Sequence, residues 1–72
     1  MPALRRGLYL LTPETTDTPA LLRLVGAAIA GGAVLVQYRD KSTDGQRRLQ
    51  QAMQLRDLCG AHGVPLIVND DV

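Results

Sequence analysis

The chain has 72 residues, room for one small domain. Its net charge of +1 makes no electrostatic case for nucleic acid, and the pairs Arg5-Arg6 and Arg47-Arg48 read as solvated surface. One cysteine, Cys59, excludes an intramolecular disulfide and a metal centre built from several cysteines, which fits a reducing, cytoplasmic compartment.

Residues 1–7 lack the apolar core of a signal peptide. The longest mostly apolar stretch, Leu24 to Val36, is too short and too broken by Gly26, Gly31 and Gly32 to span a bilayer. Gly7 to Leu11 reads as a short buried strand, ended by Pro13, which has no amide hydrogen for a ladder. Asp17 or Thr18 is the expected cap of a first helix, with Pro19 at its first position. Leu21, Leu22, Val25, Ala28 and Ile29 recur at spacings of three and four, one apolar stripe, and Gly31-Gly32 stops the helix.

Val34 to Tyr38 is the second expected strand. Ser42, Thr43 or Asp44 caps a second helix from about Gly45 to Ala61. Leu49, Ala52, Met53, Leu55 and Cys59 form its expected apolar face, with Arg48 and Arg56 extending their charged heads to water. Gln46, Gln50, Gln54 and Asp57 form the wet face. His62-Gly63 ends the helix, and Leu66 to Val68 is a third strand opened by Pro65. The order β-α-β-α-β, with strands apolar on both faces, predicts an α/β fold with a parallel sheet and right-handed crossovers. Three strands and two helices leave open sheet edges, so the chain reads as the front of a larger α/β domain, cut after its third strand. Self-association through those edges is the alternative.

Two strand ends turn suddenly polar. Val36 leads into Gln37, Arg39 and Lys41, which share one side if the strand runs that far. Arginine offers a fork of donors to phosphate oxygens, and lysine a compact charge. A strand end with surface charges, Arg39 pairing with Asp40 or Asp44, explains the same pattern. Val68 leads into Asn69 and Asp70. Asp70 suits Mg²⁺, which takes one or two carboxylates along with phosphate oxygens and water. An Asx turn or the cap of a following helix is the competing reading, and Asp71 is expected to be cap or surface. His62 and Cys59 are expected to be structural, at a helix end and on an apolar helix face. In parallel α/β sheets ligands bind at the carboxyl ends of strands, where both polar clusters fall.

The segments Leu8-Tyr9-Leu10-Leu11-Thr12-Pro13, Gly32 to Lys41 and Pro65 to Asp70 together resemble the N-terminal part of the thiamine-phosphate synthase family. The resemblance runs along the whole chain. It implies the first β-α-β-α-β portion of a (β/α)₈ TIM barrel of ~200 to 250 residues. It also implies condensation of 4-amino-5-hydroxymethyl-2-methylpyrimidine diphosphate with a thiazole phosphate, giving thiamine phosphate and pyrophosphate. By carry-over, Gln37, Arg39, Lys41 and Asn69 would contact the pyrimidine diphosphate and Asp70 would hold Mg²⁺. The family's second metal-binding aspartate and its thiazole-phosphate contacts fall on later strands, so these 72 residues alone are expected to be inactive. The related thiazole tautomerase shares the barrel but has no pyrophosphate to clamp, and a noncatalytic self-assembling module is the remaining alternative.

Overall fold

A computed structural model describes residues 7–69. The elements follow in the order β1 (Leu8–Leu11), α1 (Thr18–Ala30), β2 (Ala33–Arg39), α2 (Gly45–Ala61) and β3 (Leu66–Asn69). The three strands form one parallel sheet in the order β1-β2-β3. No helix among the described residues is long and apolar enough to cross a membrane.

Both helices start where a side chain can replace a missing backbone acceptor. Asp17 caps α1 by accepting from the Ala20 amide at 3.0 Å, with Pro19 in the first turn, and Asp44 caps α2 by accepting from the Arg47 amide at 3.0 Å. Each helix is followed by a glycine with positive φ, Gly32 at 109° and Gly63 at 68°, a backbone conformation that a Cβ would strain.

Both helices lie on one face of the sheet. Leu21 and Val25 of α1 and Leu55 and Cys59 of α2 meet Val36 and Tyr38 of β2, all buried, with Leu10 and Leu66 at the flanks. In this segment the other face is uncovered, which corrects the expectation of a buried first strand: Tyr9 and Leu11 are exposed there, and Leu8, on the side of Leu10, is exposed at the amino end of the edge strand. β2 is one residue longer at each end than its apolar run predicts.

The pairing of β1 with β2 contains an irregularity. Leu8 faces Ala33, but Tyr9 faces Leu35, so Val34 is passed over; the register then runs evenly through Leu10↔Val36 and Leu11↔Gln37. Burial records the same slip. Ala33 and Val36, three apart, are both buried, and strict alternation begins only at Val36.

The buried stripe of α2 also departs from expectation. Leu49 is 61% exposed and Met53 47%, while Gln51, Leu55 and Cys59 are fully buried at a spacing of four. The helix is therefore rotated so that a glutamine, not Leu49, faces the sheet. Burial pushes the Cys59 thiol up from its ordinary pKa, consistent with a small apolar core residue.

Candidate functional site

The carboxyl ends of the strands carry the polar residues singled out above. β2 ends at Arg39, and alternation separates its two faces: Val36, Tyr38 and, just beyond the strand, Asp40 are buried, while Gln37 and Arg39 are half-buried. Gln37 stands in register between Leu11 of β1 and Ile67 of β3, and Arg39 stands opposite Asn69. Lys41 lies two residues past the strand and is exposed. It nevertheless joins Arg39 in a shallow cleft of about 310 Å³, whose other walls are Leu11, Thr12 and Glu14.

Backbone bonds hold this arm in place. The Thr12 amide donates to the Gln37 carbonyl at 3.0 Å, and one step on, the buried Thr12 hydroxyl accepts from the Arg39 amide at 3.3 Å. Glu14 then accepts from the Lys41 amide at 3.0 Å. The segment after β1 thus continues the sheet's pairing with side chains where the ladder stops.

Behind the arm lies a buried polar network. Asp40, 2% exposed, accepts from the Ser42 amide through Oδ1 at 2.7 Å and from Arg47 Nη2 through Oδ2 at 2.7 Å. The Tyr38 hydroxyl donates to Gln51 Oε1 at 2.6 Å and lies 3.4 Å from Asp40 Oδ2. Gln51 Nε2 donates to the Thr15 carbonyl at 2.9 Å and to Thr18 Oγ1 at 3.0 Å. Arg48 Nη1 adds a long bond to the Ser42 carbonyl at 3.4 Å.

The electrostatics follow from these contacts. Burial by itself would raise the Asp40 carboxyl pKa, but the Arg47 hydrogen bond, the Ser42 bonds and the Arg47 charge outweigh it and hold the group below the usual carboxylate range. Tyr38 is pushed up to about 12, first by burial, then by the charge and hydrogen-bonding of Asp40, against the opposing charges of Arg47 and Arg48. The bond that Arg47 donates to Asp40 raises the Arg47 pKa in turn.

Arg39 and Lys41 share one cleft as the strand-end pattern predicts, but neither Gln37 nor Asn69 lines it: Gln37 lies one ladder step back, between Leu11 and Ile67, and Asn69, in register with Arg39, lines a separate groove with Tyr38 and Asp40. The surface-charge reading is corrected at two points: Asp40 pairs with Arg47, and Asp44 caps α2. Asp70, the expected Mg²⁺ ligand, lies outside the described residues, as does Asp71. Neither described carboxylate of this region is an evident substitute, since Asp40 is committed to Arg47 and Ser42, and Glu14 to the Lys41 amide. No group of three or more His, Cys, Asp or Glu that could hold a metal occurs among the described residues. Sequence reasoning missed Gln51, and its reading of Arg47-Arg48 as solvated surface is corrected: both are half-buried, Arg47 bonded to Asp40 and Arg48 to the Ser42 carbonyl. The available signal for Gln51 was its place four residues before Leu55 and eight before Cys59.

The chain is 56% identical over its whole length to the thiamine-phosphate synthase of Chromobacterium violaceum, covering 35% of that protein. It is 59% identical over 66 residues, 92% of the chain and 31% of the relative, to the thiamine-phosphate synthase of Thiobacillus denitrificans. The enzyme of the same name from Azoarcus sp. is 49% identical over 93% of the chain and 32% of its own length. The chain thus spans about a third of the length of these curated relatives. No solved structure gives a significant match. The family model described as thiamine monophosphate synthase matches residues 8–72, and the chain belongs to that family.

Proposed function

We propose that this segment is the first β-α-β-α-β portion of a single (β/α)₈ barrel domain that acts as a thiamine-phosphate synthase in the cytoplasm. The observation that carries the reading is the placement of Arg39 and Lys41 in one cleft at the carboxyl ends of parallel strands. That is where ligands bind in such sheets. Identity of 56% and 59% to proteins of that name supports it.

In this reading Arg39 and Lys41 hold the diphosphate of the pyrimidine substrate, and Gln37 and Asn69 orient the same molecule. The bond from the pyrimidine methylene carbon to the diphosphate oxygen breaks to leave a pyrimidine carbocation, and the thiazole nitrogen then bonds to that carbon. Pyrophosphate leaves with the electron pair. Negative charge grows on the leaving group, and fixed cations stabilise it most where water is excluded. Asp70 directly follows Asn69 in the sequence, and a carboxylate together with the substrate's own phosphate oxygens and water is a donor set suited to Mg²⁺. When bound, that ion would neutralise diphosphate charge. The second substrate, a thiazole phosphate, is bound by parts of the barrel outside this segment, so the segment alone is inactive.

The test uses the full-length enzyme, a chain of the relatives' length carrying this segment. Formation of thiamine phosphate from the two substrates in the presence of Mg²⁺ is the expected activity. Arg39→Ala is expected to raise KM for the pyrimidine diphosphate by roughly tenfold or more, since it removes a charged partner of phosphate. An active enzyme with unchanged KM would refute the assignment of Arg39, and absence of condensation by the folded wild type would refute the function.

A further inference from the structure

Three consecutive residues, the last of β2 and the two after it, are held from two sides. The Arg39 amide is bound by Thr12 and the Lys41 amide by Glu14, both on the segment after β1. Asp40, between them, is buried on the helix side, where it accepts from Ser42 and from Arg47 in the first turn of α2. Arg47 is itself fixed there, because its amide donates to the capping Asp44.

A buried carboxylate paired with a guanidinium is weak evidence of net stabilisation, because desolvation offsets much of the attraction. What such a pair does supply is a direction. Arg47 donates to one oxygen of the Asp40 carboxylate through Nη2 alone, and the Ser42 amide donates to the other, at 2.7 Å in both cases, so the two oxygens are held from two directions. With Asp40 pinned to the helix side, its neighbours on either side are turned away from the helices. Arg39 and Lys41 then come together in the same cleft although Lys41 lies beyond the strand.

We propose that Asp40 is a positioning residue for the diphosphate site, acting through its bonds with Arg47 and Ser42 to set the spacing of Arg39 and Lys41. The proposal rests on the reading of those two cations as diphosphate ligands. Asp40 touches no substrate. It fixes the backbone from which the binding side chains project, and a displacement of about 1 Å in such a group is enough to cost a large factor in rate or affinity.

The experiment compares Asp40→Asn with Arg39→Ala in the full-length enzyme, with KM measured separately for the two substrates. Asparagine keeps the shape and the acceptor for Ser42 but loses the charge that orients Arg47. The expected result is a rise of roughly tenfold in KM for the pyrimidine diphosphate, with less than a twofold change for the thiazole phosphate. A purely structural role lowers the amount of active enzyme and leaves both KM values in place, and that result overturns the proposal. An equal rise in both KM values overturns it as well. If Arg39→Ala raises the diphosphate KM and Asp40→Asn does not, positioning fails while the site reading stands. If neither variant changes it, the site reading falls and takes the proposal with it. Should Asp40→Asn not fold, Arg47→Gln breaks the same pair from its more exposed side and is judged by the same criteria.

Discussion

The Tyr38 hydroxyl and Gln51 Oε1 are only 2.6 Å apart, and the energetic weight of that bond can be worked out from its surroundings. Gln51→Leu preserves bulk but removes the acceptor of the Tyr38 hydroxyl and both bonds to Thr15 and Thr18. Thr15 and Thr18 are half-buried and recover water in part, so each loss is worth at most about 1 kcal/mol. The Tyr38 hydroxyl is buried and keeps only the 3.4 Å approach to Asp40, which places its cost within ~1–3 kcal/mol. The expected loss for Gln51→Leu is therefore about 3 kcal/mol. Tyr38→Phe leaves Gln51 Oε1 buried without its donor, at about 1.5 kcal/mol. The double variant strands neither partner and keeps only the losses at Thr15 and Thr18, so it should cost about 2 kcal/mol, a coupling of ~2.5 kcal/mol. Reversible urea unfolding of the full-length enzyme, followed by far-ultraviolet circular dichroism, measures all three. Additivity within about 0.5 kcal/mol would refute the reasoning, because it would mean the two side chains do not depend on each other.

Further outcomes follow from burial and from proton linkage. Leu55→Ala, which empties a fully buried position between α2 and the sheet, should cost about 3 kcal/mol; a urea midpoint equal to that of the wild type would contradict the orientation of α2. Tyr38 titrates higher folded, at about 12, than its ordinary value of 10.0, so its contribution is whole below the lower value and fades as pH rises through the higher. The stability of Tyr38→Phe should accordingly fall less steeply across that alkaline window than that of the wild type, as urea midpoints measured through it would show. Asp40 has the opposite sign: its contribution is present above the ordinary carboxylate range and is lost as pH falls through its depressed value, so Asp40→Asn should flatten the acid limb of the same stability profile.

The element order was legible because periodicity and punctuation agreed. Pro19 and the aspartates before each helix marked the starts, and Gly31-Gly32 and His62-Gly63 marked the stops. Parallel pairing followed from helices lying between apolar strands, and the structure shows it. The rotation of α2 was not legible. Leu49 and Met53 are more apolar than Gln51, and a helical wheel ranks them inward. What turns the helix is a tyrosine hydroxyl, a carbonyl and a threonine hydroxyl, far away in sequence, that together satisfy a glutamine amide. Exposure of Tyr9 and Leu11 was equally hidden, since a residue's apolarity does not say whether its sheet face is covered. The clustering of Arg39 with Lys41 was suggested by their spacing. The partner of Asp40 was not, because Arg47 reaches it from the first turn of a helix rather than from the strand.

The passed-over Val34 limits how this stretch of chain can drift in length over evolution. Because Tyr9 faces Leu35 and Leu11 faces Gln37, the slip sets which face of β2 lines up with which face of β1. Losing a single residue between Gly32 and Val36 would either erase the irregularity or turn Gln37 and Arg39 toward the helices and Tyr38 and Asp40 away from them. A paired loss would keep the faces and shorten only the amino end. Lineages carrying this segment should therefore tolerate substitution at Val34 more readily than its deletion, with length variation displaced into the turns outside the strands.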